Sequence, residues 1–383
     1  MRRDMNRSTL RTIALATIGA LLLAIMLLAG CPEKPSASSG GGGGGAATSA
    51  GDSGGEETYK VAISSRPGQW NLDERVRGYE EYFAEETPQI EVVEVFDDET
   101  LANKGEEKAS AVLSKHPDLD GFAGVNAVSG LGIAAALKNA DMVGDVNVVA
   151  MDGDEGILNL IEEGVIDASV AQRQYWMSWL GVGYLYGLKH GVYTAPDGDG
   201  QDEEGEIPEV IDTTTVEVNE DNLDQFRTPS QGAKESMPEE FEEVVEHAAT
   251  QEAQPDPSET YVFIGISTGA EYWRAAEAGL IDACEALGVT PDFRGPTTQD
   301  AQEQADVMAT VVGMRPAGIL ISPGRPETLT PYINDAMEQG IPVICLDTDA
   351  PNSDRIAYFG TDNYEAGRTG AETLARLILE GEE

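Results

Sequence analysis

Basic residues are scarce in this chain: 24 Lys and Arg stand against 69 Asp and Glu, and no lysine follows Lys234. The formal net charge of −45 repels phosphate backbones and anionic headgroups, which argues against nucleic acid as a partner. Histidines are only three, His116, His190 and His247, and no Cys/His cluster has metal-ligand spacing. No metal and no cofactor is expected. Cysteines are also three, with no spacing that marks a disulfide framework. Cys284 falls in an expected helix and Cys345 in an expected strand, where buried free thiols are favoured over a bridge. An acid-rich, lysine-poor surface suits a salty medium, where counterions screen its self-repulsion, and suits a plain acidic exported protein equally well.

The 383 residues leave room for two α/β lobes and tails. Residues 1–11 are basic and 12–30 are apolar throughout, long enough to span a bilayer. That run ends in Leu28-Ala29-Gly30-Cys31, small residues before a lone cysteine, which resembles a bacterial lipobox. A lipoprotein signal peptide over 1–30, lipidation at Cys31 and attachment to the outer face of a membrane are therefore expected, in preference to an uncleaved anchor. Residues 31–57 are Gly/Ser-rich, with unbroken glycine from Gly40 to Gly45, and form no core. Such a tether lets a folded body wander about 30 Å from its anchor.

From residue 59 the pattern alternates between apolar runs and amphipathic stretches. Strands are expected at 60–64, 90–96, 119–125, 146–151 and 166–172, with helices around 73–85, 100–115, 127–140, 155–163 and 174–190. A strand at 210–218 follows. Nearly all-apolar strands between helices imply an α/β protein with parallel sheet covered on both faces. The acidic stretch 195–206 fails as a calcium loop, because the sixth place from Asp197 is Asp202 rather than glycine. Residues 228–258 are acidic and Pro-punctuated, and read as a linker. The second half restarts with a strand at 261–267 and helices at 271–287 and 300–314. A strand at 317–322, a helix at 326–339 and a strand at 341–347 come next. A last short strand leads into a helix that begins near Asn363, with Asp362 as its cap.

In open parallel sheets, ligands bind beyond the carboxyl ends of the strands. The polar and aromatic residues expected there are Arg66, Trp70, Asn126, Asp152, Gln172, Ser267, Ser322, Asp347 and Thr361, with Arg75, Tyr272 and Trp273 opening the adjoining helices. Carboxylates, amides, one guanidinium fork and flat aromatics without histidine suit a neutral polyhydroxy ligand. Asp152 and Asp347 could instead cap the next helix, and Trp176 and Trp179 are expected to pack inside. Gly265-Ile266-Ser267-Thr268-Gly269 matches G-x-S-x-G between a strand and a helix, as in a serine hydrolase. A hydrolase needs a histidine brought to that serine, and none of the three is expected at a strand end, so no enzyme is expected.

Residues 261–383 resemble the first half of type I periplasmic sugar-binding proteins, the ribose-binding-like group of ABC transporters. The resemblance rests on Tyr272-Trp273, ILISP (319–323), IPVICLD (341–347) and GTDNYEAG (360–367). Residues 59–226 resemble the second half of the same family, through PGQWNLDERVRGY (67–79), HPDLDGFAGVNAVSGLG (116–132), VVAMDGD (148–154) and ASVAQ (168–172). The halves thus stand in circularly permuted order. The resemblance implies two Rossmann-like lobes of flavodoxin strand order joined by a hinge. The expected map is 58–227 for the second half of the module, 228–258 for the linker and 259–383 for the first half. The family's sugar contacts carry over to Tyr272, Trp273, Ser322, Asp347, Thr361, Arg75, Asn126, Asp152 and Gln172. Thr348 stands where ribose-type members commonly carry arginine, so the sugar itself is left open. Implied partners are a sugar or polyol and an ABC permease. A sensor role feeding a membrane receptor is the alternative.

Overall fold

The computed structural model describes residues 58–196, 205–228, 237–238, 241 and 256–381. The signal-like segment, Cys31, the tether and most of the 228–258 linker lie outside the described residues. Among the described residues no helix is long and apolar enough to cross a membrane.

The first half builds β1 (Tyr59–Ser65), α1 (Trp70–Glu86), β2 (Ile90–Asp97), α2 (Ala102–Lys115), β3 (Gly121–Gly124), α3 (Ser129–Ala140) and β4 (Asn147–Met151). It continues with α4 (Glu155–Glu162), β5 (Ala168–Gln172), α5 (Gln174–Lys189), β6 (Val210–Asp212), β7 (Thr215–Asn219) and α6 (Leu223–Phe226). The second half builds β8 (Thr260–Ile264), α7 (Trp273–Leu287), β9 (Thr290–Arg294), α8 (Ala301–Met314) and β10 (Gly318–Ile321). It ends with α9 (Pro326–Glu338), β11 (Val343–Leu346), β12 (Ala357–Gly360) and α10 (Asn363–Glu380).

Two six-stranded sheets result, in the orders β2-β1-β3-β4-β5-β7 and β6-β12-β11-β10-β8-β9. Successive strand side chains point to opposite faces, so a strand apolar at every position needs cover on both. In β1, Val61 and Ile63 enter one hydrophobic cluster while Ala62 enters another. In β8, Tyr261 and Phe263 face one cluster and Val262 and Ile264 the other.

Besides the passage through the 228–258 segment, the chain crosses between the lobes three times. Helix α5 leaves β5 of the first sheet and packs on the second, where Leu185 fills the space over Gly318 and Leu320 lies against Gly181. Helix α10 leaves β12 of the second sheet and packs on the first, with Leu374 and Ile378 over Gly121. Each crossing helix closes on the opening helix of its new lobe through a glycine. A Cβ on Gly367 would collide with the Arg75 carbonyl, and one on Gly279 with the Tyr175 carbonyl. The crossings are stitched together: Thr213 N–H donates to the Gly360 carbonyl (2.8 Å), Asp362 N–H to Asp212 Oδ1 (2.9 Å) and Arg173 Nε to Thr214 Oγ1 (3.1 Å).

Three expectations need correction. Residues 210–218 are two strands, β6 parallel to β12 in the second sheet and β7 antiparallel to β5 in the first. Thr213 and Thr214, the latter at φ 58°, carry the chain across; an unbroken β-branched run gives no sign that it changes sheet. Strand β9 was not expected, because TPDFR carries a proline and two charges; it is an edge strand, where both are tolerated. Within the segment read as a core-poor linker, Phe241 is buried with its ring 5.9 Å from Trp176. One aromatic suffices to dock that point on the second lobe.

Candidate functional site

Strands β4 and β11, each fourth in its sheet counted from the edge strands β2 and β9, are followed by an aspartate. Asp152 and Asp347 both have positive φ, 70° and 62°. Asp152 is buried, and its Oδ1 accepts from Gln172 Nε2 at 2.9 Å. Asp347 Oδ1 accepts from the Tyr272 hydroxyl, and its Oδ2 accepts from Ser322 and Thr348 Oγ1, each at 3.3 Å. Burial pushes both carboxyls above their usual range, offset by the nearby Arg75 guanidinium, and their mutual repulsion raises Asp152 further. Gln172 and Tyr272, which bond the two aspartates from opposite lobes, line one cavity. Tyr272 feels Asp347, Asp152 and Arg75, and its hydroxyl is driven well above its normal value mainly by burial.

Arg75 projects from α1 and is 4% exposed. Its Nε donates to Asn363 Oδ1 (2.8 Å) and its Nη1 to the Val125 carbonyl (3.0 Å). The fork is thereby fixed from two directions, at the start of α10 and at the end of β3, with Nη2 uncommitted among the described residues. Five residues, Arg75, Asp152, Gln172, Tyr272 and Asp347, form one set drawn from both lobes.

Other expected residues sit differently. Asn126 donates to Asp98 Oδ2 (3.0 Å), while its carbonyl oxygen accepts from Val128 N–H and Ser129 N–H (both 3.0 Å), so it also caps α3. Ser322 is buried beside Asp347. Ser267 is buried at the end of the β8 turn, while His116 stands by Glu94 and His190 by Glu259. Thr361 is buried with its hydroxyl unpartnered, at the β12 end that corresponds to Gln172 in β5. Trp273 is 4% exposed and packs edge-on against Phe263 and Tyr272, so most of its ring belongs to the lobe core. Trp70, the first residue of α1, is 59% exposed. Arg66 is exposed and donates to the Glu99 carbonyl (2.9 Å).

Two residues escaped sequence reading. Asp98, fully buried, accepts from Ser64 Oγ (2.9 Å), Asn126 Nδ2 and Thr100 N–H (2.8 Å), and so orients Asn126. The strand-end rule would have found it just past β2. Asp154, two residues beyond Asp152, is pushed up to about 7 by burial, Asp152 and Glu271 of the facing lobe. Beside the set lies a cavity of about 700 Å³, floored by the 172–174 crossing and walled by α4 and α6 of one lobe and α7 of the other. It meets the set at Gln172 and Tyr272. Among the described residues no group of His, Cys, Asp and Glu could hold a metal ion.

A fold of two linked parallel-sheet lobes with polar groups converging from both defines a binding protein of the type I periplasmic class. The family model described as a periplasmic binding protein domain matches residues 39–191 and 261–381, and the chain belongs to that non-enzymatic, extracytoplasmic solute-binding family. It is 25% identical over 135 residues to the xylose/arabinose-binding protein XylF of Sulfolobus acidocaldarius, covering 33% of this chain and 34% of that protein. The sugar ABC transporter sugar-binding protein of Bacillus halodurans is 30% identical, over 44% of this chain and 58% of that one, with a TM-score of 0.41. The transcription regulator CcpA of Lactococcus lactis is similar in fold, with a TM-score of 0.51 at 12% identity, over 85% of this chain and 92% of that one. The chain thus spans about a third of the curated relative's length and under two thirds of the Bacillus protein.

Proposed function

We propose that this protein captures a neutral sugar or related polyol outside the cytoplasm and delivers it to an ABC importer. The observation that carries this reading is the five-residue set between the lobes. Two carboxylates accept from ligand hydroxyls, an amide and a tyrosine hydroxyl steady them, and one fixed guanidinium donates from the side. Asn126, Ser322, Thr361, Ser267, Trp70 and Trp273 are assigned to the same cleft, the last two at its rim and floor. Names of relatives point the same way, since they mention xylose and arabinose. Three stitched crossings suit a hinge about which the lobes close on ligand, and a permease would read the closed form. Residues 1–30 serve as a lipoprotein signal and Cys31 as the lipid anchor. A sensor input to a membrane receptor would use the same site.

The module is proposed to be circularly permuted, with 58–227 and 259–383 as its second and first halves and 228–258 as the joining linker. Support comes from α10, which leaves β12 of the second sheet and ends on the first sheet beside β1, so that Tyr59 and Ile378 share one hydrophobic cluster. Thermal unfolding of the full chain with pentoses, hexoses and polyols tests the reading. Ligand at 100 times its dissociation constant adds about 2.7 kcal/mol. If none of these compounds shifts the transition, the sugar reading fails.

A further inference from the structure

We infer that the binding site has a second compartment, the cavity of about 700 Å³ beside the five-residue set, and that it takes a second sugar unit or an aglycone. This rests on the sugar-binding reading. The inference starts from continuity. Gln172 and Tyr272 line the cavity, and they are also the residues that hold the two site aspartates. A ligand seated on Asp152 and Asp347 therefore has the cavity directly beyond its flank.

Size comes next. A hexose has about 12 heavy atoms; at no more than about 30 Å³ each, the share of a water molecule in the liquid, it takes at most about 360 Å³. One ring cannot fill the space, whereas two can. The lining suits a sugar's two kinds of surface. Leu158 and Phe226 of one lobe and Ile281 of the other offer apolar walls for C–H faces. Ile281 is 36% exposed, so α7 presents a large aliphatic side chain to the opening. Asp154, half-buried at the head of α4, makes no side-chain cap there and has no partner among the described residues, so it is open to a ligand hydroxyl. Both lobes contribute walls, so a two-unit ligand would hold the cleft shut at two points.

The test compares D-xylose and L-arabinose with xylobiose and with 4-nitrophenyl pentopyranosides, by calorimetry on the full chain. At least one two-unit ligand should bind ten times more tightly than its own monosaccharide. Ile281→Arg should remove that advantage and leave monosaccharide affinity within twofold, which also shows the variant folded. Monosaccharides that bind as tightly as every two-unit ligand overturn the second compartment and leave the sugar reading intact. An unchanged preference in Ile281→Arg overturns it as well. If no sugar of either kind binds, both readings fall.

Discussion

Asp152 and Asp347 hold the same backbone position in the two lobes. Each follows the fourth strand, and each donates its N–H to the next strand, to the Val170 carbonyl at 3.0 Å and the Phe359 carbonyl at 2.9 Å. Each carbonyl accepts a side-chain hydroxyl from that same strand, from Ser169 at 2.6 Å and Tyr358 at 2.9 Å. A left-handed backbone costs a non-glycine residue about 1–2 kcal/mol, so these strand contacts are what hold the turn. Asp347 has three hydroxyl donors on its carboxylate, whereas among the described residues Asp152 has only Gln172.

Replacing either aspartate should therefore act on binding before it acts on the fold. Asp152→Ala or Asp347→Ala is expected to weaken sugar binding by about 2–4 kcal/mol, since ligand hydroxyls lose a charged acceptor. Calorimetry that finds both variants at wild-type affinity would move the ligand out of this cleft.

Arg75 is a positioning group as well as a donor. A lysine cannot reach Asn363 Oδ1 and the Val125 carbonyl together from one ammonium, so Arg75→Lys leaves at least one buried acceptor unpaired. Urea unfolding should show a loss of about 1–3 kcal/mol, alongside weaker binding. Wild-type stability and affinity in Arg75→Lys would mean the fork is not needed.

What could be read from the sequence followed from strong local rules. Strand ends past apolar runs located Asp152, Gln172 and Asp347, and the Thr361-Asp362-Asn363 turn announced α10, whose cap Asp362 accepts from Tyr364 N–H and Glu365 N–H. What could not be read depended on tertiary context. Trp70 and Trp273 are both aromatics near strand ends, yet one lies open at the start of α1 and the other is packed under Tyr272. Only the neighbouring elements decide which. The Thr213-Thr214 crossing was invisible for the same reason, because both flanking segments favour strand equally.

Acidity offers a separate check through Asp154. Its folded pKa, about 7, lies above the ordinary carboxyl value, so the folded state keeps a proton that the unfolded chain gives up near pH 4. Below about pH 4 both states are protonated and no penalty exists. As pH rises to about 7 the folded state loses stability, by up to about 4 kcal/mol for this group. Asp154→Asn should thus be more stable than wild type by several kcal/mol at pH 7.5 but by only about 1 kcal/mol at pH 4.5, by urea unfolding. Equal stability at both values would show that Asp154 ionises freely.

The interleaving of the halves predicts how the chain can be cut and rejoined. Without 259–383, the first sheet loses α10, which buries Leu374 and Ile378 over β3 and Ala366 and Ala371 beside them. Each large aliphatic side chain contributes about 1.5–3 kcal/mol, a sizeable share of a domain's whole stability. Without 58–227, the second sheet loses α5, and Trp273, Leu320 and Phe359 lose the aromatic face of Tyr175, Trp176 and Tyr184. Each half expressed alone should therefore fail to unfold cooperatively. A reordered chain, 259–383 followed by a short Gly/Ser joint and then 58–227, keeps every one of these contacts. It should fold with the same circular dichroism spectrum and bind the same sugar within about threefold. Cooperative unfolding by either isolated half would mark two independent domains. Failure of the reordered chain to fold would remove the permutation.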